Sequence, residues 1–231
     1  MKITANFDSG NIKVIKLEKP TDIQVEINKD NESDFYQWFH FRLQTQSSIE
    51  HKITIKNAKG AAYVDGWKDY NVVASYDREI WFRVDTEFDG EQLVINHMPE
   101  CDSVYYAYFS PYSYERHLDL IHQCQQSYDC QLVDLGDTLD GNDMSLLVIG
   151  EPGEDKKNIW VTCRQHPGES MAEWFAEGML NRLLDEDDGT ARALLEKAVF
   201  YVVPNMNPDG SIRGHLRTNA CGANLNREWA E

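Results

Sequence analysis

His166-Pro167-Gly168-Glu169 sets an imidazole and a carboxylate three positions apart, where strand-forming residues (Asn158 to Arg164) give way to a helical pattern. A divalent metal needs donors that converge on one point. Zinc accepts His and Glu together and, in catalytic sites, keeps a position open for water. Spacing alone decides little: 7 His and 18 Glu in 231 residues give roughly 0.5 such pairs by chance. The chain holds a second one, His97-Met98-Pro99-Glu100. That pair leads into Cys101-Asp102-Ser103 and another strand, with no helix and no basic cluster nearby, so context favours His166 and Glu169 as the metal ligands. Their plainer reading is a helix start with a well-placed acid, Pro167 being preorganised for a first turn. His117 and His122 fall on different faces of a helical stretch and read as surface or interface histidines. His40 and His51 carry no partner signal.

From Gly210 to Arg227 the chain has three arginines (Arg213, Arg217, Arg227) and no acid, although it is acidic elsewhere. Arginine's planar fork binds a carboxylate bidentately, and a neighbouring Asn amide adds a donor. Asn226-Arg227, inside Asn224-Leu-Asn-Arg-Glu-Trp229, is such a pair. A metal beside it points to cleavage next to a free C-terminus. The plainer alternative is that the arginines offset local acidity. Asn207-Pro-Asp-Gly210 reads as a turn after a strand at Ala198–Val203.

Two textures must position these groups. Residues 1–111 alternate turn signals with about seven short β-rich runs, at Asn11–Leu17, Ile23–Asn28, Phe35–Leu43, Lys52–Lys56, Ile80–Val84, Gln92–Asn96 and Val104–Phe109. They predict an antiparallel β-sandwich, with Phe39, Phe41 and Leu43 on one face and His40 and Arg42 on the other. Residues 112–231 predict an α/β domain. A helix over 112–127 buries Leu118 and Ile121, with Tyr114 a further candidate for the stripe, strands lie at Gln131–Leu135, Ser145–Ile149, Asn158–Arg164 and Ala198–Val203, and helices at Glu169–Leu184 and Thr190–Lys197. In such layering ligands bind beyond the carboxyl ends of strands, where His166 falls.

A 42% hydrophobic fraction and a net charge of −17 fit a folded acidic protein with no general affinity for nucleic acid or anionic membranes. Five scattered cysteines without a C-x-x-C read as reduced thiols rather than a disulfide framework or a Cys-based zinc site. The start of the chain has no apolar core of a signal peptide, and no run approaches the length of a membrane span. Together these lead to a cytoplasmic expectation. Nothing in the sequence bears on oligomeric state.

The order H-P-G-E, then N-P-D-G, then an Arg ten residues before the Arg of L-N-R-x-W resembles the zinc metallocarboxypeptidases, specifically their cytosolic carboxypeptidase branch. Tyr105-Tyr-Ala-Tyr-Phe-Ser-Pro-Tyr-Ser-Tyr114, Arg116-His-Leu118, Leu135-Gly136, Thr138-Leu139 and Lys157-Asn158-Ile159 carry the resemblance further, as does the sandwich before them. It implies one zinc per catalytic domain, held by His166 and Glu169. It implies that Arg217 polarises the scissile carbonyl and that Asn226 and Arg227 hold the terminal carboxylate of a peptide or protein tail, with C-terminal glutamates typical of the branch. Arg213 is a candidate contributor to the side-chain pocket. Many relatives have Asp where Asn224 stands, a position expected to support rather than bind.

The family takes a third zinc ligand, a His, and its catalytic Glu from segments after L-N-R-x-W. His215 is a weak substitute, and no acid here is an obvious base: Glu228 and Glu231 end the chain and Glu173 reads as solvated. The catalytic domain is therefore expected to be truncated at its C-terminal end, the written polypeptide inactive, and the Phe175/Leu180/Leu184 helix face partly uncovered. Two rivals stay open, a zinc amidohydrolase of small N-acyl amino acids and a non-catalytic binding module.

Overall fold

The computed structural model describes residues 1–229; Glu231, one of the acids weighed above, lies outside them. Ten strands make up the first part: β1 (Lys2–Thr4), β2 (Lys13–Lys19), β3 (Asp22–Glu26), β4 (His40–Gln44), β5 (His51–Ile55), β6 (Val73–Ser75), β7 (Phe82–Arg83), β8 (Asp85–Phe88), β9 (Leu93–His97) and β10 (Ser103–Ala107). They form two five-stranded sheets, ordered β1-β4-β10-β6-β7 and β2-β3-β5-β9-β8. Their inner faces share one core, where Phe41, Leu43, Val104 and Tyr106 of the first sheet, with Phe39 just before β4, meet Ile23, Val25, Ile53, Ile55 and Ile95 of the second.

The sandwich is antiparallel except for β3 against β5, which run parallel. More strands form than the sequence predicts, because short pieces such as β6 and β7 carry little periodic signal. The expected strand from Phe35 begins only at His40. Alternation holds at Phe39, Phe41 and Leu43, yet His40 on the opposite face is also buried, packed edge-on against Phe7 and Trp81.

The second part contains α1 (Tyr114–Cys124), β11 (Cys130–Asp137), β12 (Asp143–Ile149), β13 (Lys157–Thr162), α2 (Met171–Leu183), α3 (Gly189–Leu195), β14 (Ala198–Val203) and α4 (Pro208–Arg213). Its sheet, ordered β11-β12-β14-β13, is mixed: β13 and β14 pair parallel across the α2–α3 crossover, and the other pairs are antiparallel. The apolar helix faces and the sheet close a second core around Tyr112, Ile121, Leu147, Ile149, Leu180 and Val202.

Several local expectations change. The buried stripe of α1 is His117, Leu120, Ile121 and Cys124, with Leu118 only half-buried. Pro167 precedes α2 by four positions and shapes the corner rather than the first turn. Asn207-Pro-Asp-Gly210 opens α4, with the Asn207 side chain capping Gly210 N and Gly214, at φ 72°, closing the helix in the left-handed region. Of Phe175, Leu180 and Leu184, the first is 59% exposed, the second fully buried and the third half-buried.

Candidate metal centre and carboxylate clamp

β13 delivers the corner. Its pairing with β14 continues through Cys163 N, which donates to Val203 O at 2.9 Å. Arg164 then turns into the left-handed region at φ 50° and breaks the ladder. Such a conformation is costly for a side chain with a Cβ and persists only when surroundings over-determine it. Here they do: the buried guanidinium donates to Pro167 O (3.0 Å), Tyr112 O (2.8 Å) and Glu173 Oε2 (2.6 Å).

Above that anchor, His166 is buried at 5% exposure and Glu169 faces solvent. His166 Nδ1 lies 3.0 Å from Glu169 Oε1, and Nε2 lies 3.2 Å from Asn224 Oδ1. Asn224 Oδ1 also accepts from Asn226 N at 3.2 Å, which fixes the amide's orientation. Both ring nitrogens therefore face oxygen acceptors, but a neutral imidazole has one N–H. With Nε2–H given to Asn224, the Nδ1 lone pair faces the Glu169 carboxylate, and that nitrogen and oxygen are the donors a zinc ion would take. An imidazole nitrogen and a carboxylate oxygen are both donors that zinc accepts, and here they lie 3.0 Å apart. The donor chemistry thus fits zinc at two positions. Among the described residues no group of three or more His, Cys, Asp or Glu converges.

The arginine window folds against this corner. Gly168 N donates to Leu216 O at 2.9 Å, and a Cβ at Gly168 would come within 3.2 Å of the Leu216 backbone, so glycine permits the approach. Arg217 is half-buried with its guanidinium 5.6 Å from the centre of the Phe35 ring. Asn226 and Arg227 sit exposed on a single 3-10 turn, tied to the corner where Trp229 Nε1 donates to Gln165 Oε1 (3.1 Å). Arg213 is engaged bidentately by Asp140 at 2.7 Å, which removes it as a free pocket cation. Among the described residues no carboxylate pairs with Arg217 or Arg227.

The structure overturns the readings of Glu173 and His117 and agrees that His215 is a poor ligand. Glu173 is fully buried, not solvated: Oε1 lies 2.6 Å from His117 Nδ1, and Oε2 accepts from Arg164 and from Asn205 Nδ2. His117 is accordingly a core residue. His215 cannot serve as a ligand, because Nδ1–H donates to Thr218 O and Nε2 accepts from Asn31 N. The sequence did hold a signal for Glu173 and His117, since each falls on the buried stripe of its helix, with Ala176/Leu180/Leu183 and Leu120/Ile121/Cys124. In the competing pair, His97 bonds the Tyr106 hydroxyl at 2.9 Å and Glu100 is exposed.

Comparison with known proteins agrees with this architecture. Residues 3–109 match the family model of the cytosolic carboxypeptidase N-terminal domain, and residues 117–231 match that of zinc carboxypeptidase. An uncharacterized protein of Zymomonas mobilis is 48% identical over 231 residues, covering 100% of this chain and 60% of its own length. Cytosolic carboxypeptidase 1 of Xenopus laevis is 30% identical, covering 99% of this chain and 22% of its own. A metallo-carboxypeptidase of Pseudomonas aeruginosa, solved in complex with (2-guanidinoethylmercapto)succinic acid, has a TM-score of 0.97 at 45% identity, covering 100% of this chain and 62% of that one. The chain therefore spans less than two thirds of the length of the relatives it matches.

Proposed function

The chain belongs to the zinc carboxypeptidase family, in its cytosolic carboxypeptidase branch, and from that premise we propose that the whole protein removes C-terminal residues from peptides or protein tails. The observation that carries this reading is the convergence of His166 Nδ1 and Glu169 Oε1, with Asn224 on the far ring nitrogen.

In this reading His166 and Glu169 hold one zinc ion, which supplies Lewis acidity toward a carbonyl and toward water. Asn224 keeps the His166 tautomer with Nδ1 free, as acceptors on metal-bound histidines do. Arg227, with the Asn226 amide, clamps the terminal carboxylate through a charge-assisted fork, which orients the last peptide bond. Arg217 places positive charge where the carbonyl oxygen becomes anionic. A tail ending in glutamate is the proposed substrate, by the chain's resemblance to the cytosolic branch. The first domain is taken as residues 1–111 and the second as 112–231, a division that falls between the two family matches. A cytoplasmic setting is proposed from the names of the relatives; no helix among the described residues is long and apolar enough to cross a membrane.

The test uses the whole protein loaded with zinc. Release of the C-terminal residue from an N-blocked dipeptide, faster than hydrolysis of an N-acetyl amino acid, supports the assignment. Failure to bind stoichiometric zinc, or preference for the N-acyl amino acid, sinks it.

A further inference from the structure

The sandwich reaches into the candidate site through one carboxylate. Asp30, 4% exposed, lies in the loop between β3 and β4. Its Oδ1 accepts from Leu216 N (2.7 Å), and its Oδ2 accepts from Arg217 N (2.7 Å), Thr218 N (3.0 Å) and Thr218 Oγ1 (3.2 Å). Three consecutive backbone N–H groups thus point at one side chain from a segment that is neither helix nor strand. Such donors must be satisfied when buried, and an ionised acceptor makes the bonds strong and directional. The loop that carries Asp30 makes two further grips. Asn31 N donates to His215 Nε2 (3.2 Å), and Asn31 Nδ2 donates to Ala220 O (2.8 Å).

We infer that Asp30 is a positioning residue for Arg217, so that the N-terminal sandwich is a working part of the active site. Asp30 N donates to Phe35 O at 2.8 Å, which closes the 30–35 loop and sets the Phe35 ring under the Arg217 guanidinium. The opposite side of the same segment is held by Gly168 N on Leu216 O, within the corner that bears His166 and Glu169. Asp30 therefore fixes the height of the Arg217 backbone against the metal corner, and Phe35 limits where its long side chain swings. A group that stabilises developing charge must stand within a fraction of an ångström of its place; a misplacement of about 1 Å costs on the order of a hundredfold. The inference rests on the role proposed for Arg217.

The experiment is a double-mutant cycle in the whole zinc-loaded protein, with Asp30→Asn, Arg217→Ala and both together, beside limited trypsin digestion of the wild type and Asp30→Asn. Asp30→Asn is expected to lower kcat by about 10–100-fold with KM within about threefold, and to add nothing once Arg217 is gone. Cleavage after Arg217 should accelerate in Asp30→Asn. Phe35→Leu, which changes an exposed ring and spares the fold, should lower kcat more mildly and only while Arg217 is present. Additive losses in the double mutant, or unchanged digestion after Arg217, overturn the inference. A wild-type protein without carboxypeptidase activity defeats the functional reading instead, and digestion alone then decides whether Asp30 holds the segment.

Discussion

The Glu173 carboxylate accepts from Arg164 Nη1 at 2.6 Å, with both side chains buried, directly beneath the loop that carries His166 and Glu169. Breaking a buried pair by removing one partner leaves an uncompensated charge and typically costs about 3–5 kcal/mol. Glu173→Ala strands Arg164 and removes the acceptor facing His117 Nδ1. We expect a loss of that size in urea unfolding, larger than for Glu173→Gln, which keeps an acceptor oxygen. A loss below about 1 kcal/mol for the alanine variant would show that the anchor is dispensable.

Asn224 offers a test that reads metal rather than stability. Partners behind a metal-bound histidine are worth about 10–100-fold in affinity. Asn224→Ala should weaken zinc binding by that range in a chelator competition, whereas His166→Ala should abolish stoichiometric binding. His97→Ala, at the competing pair, should leave zinc content unchanged.

Arg227→Lys keeps the charge and loses the planar fork. On the proposed assignment KM for a C-terminal dipeptide rises by about 10-fold or more, while zinc content by atomic absorption stays at the wild-type value. Loss of zinc in this variant would contradict a role confined to the substrate carboxylate.

Asp8 gives the protein a pH dependence with a definite sign. Burial pushes its carboxyl from 3.8 to about 6, helped by Glu173 and Glu115 and opposed by Arg164 and by a backbone bond from Tyr114 N. A raised carboxyl pKa means that the folded state binds more protons than the unfolded chain between about pH 4 and 6, so stability falls as pH rises through that window. The rise from 3.8 to about 6 corresponds to roughly 3 kcal/mol above pH 6. Asp8→Asn should therefore be more stable than wild type at pH 7.5 and nearly equal to it at pH 4. Equal stability at both pH values would show that Asp8 is not strained by its burial.

The sequence by itself determined the two textures, the strand-to-helix corner with His166 and Glu169, and the arginine window. Each of these is local: alternation, helical spacing and the run from Gly210 to Arg227 without acids can be read along a few adjacent residues. The ordered motifs added the family. Tertiary structure decided what those residues meet. Arg213 met Asp140 and ceased to be a free cation, His215 spent both ring nitrogens on the backbone, and Glu173 turned inward to Arg164 and His117. Asp30 stands 187 positions before Arg217, and no periodicity or spacing links residues so far apart. Only the docking of the loop after β3 on the segment around Leu216–Thr218, which turns three backbone N–H groups toward one carboxylate, brings them together.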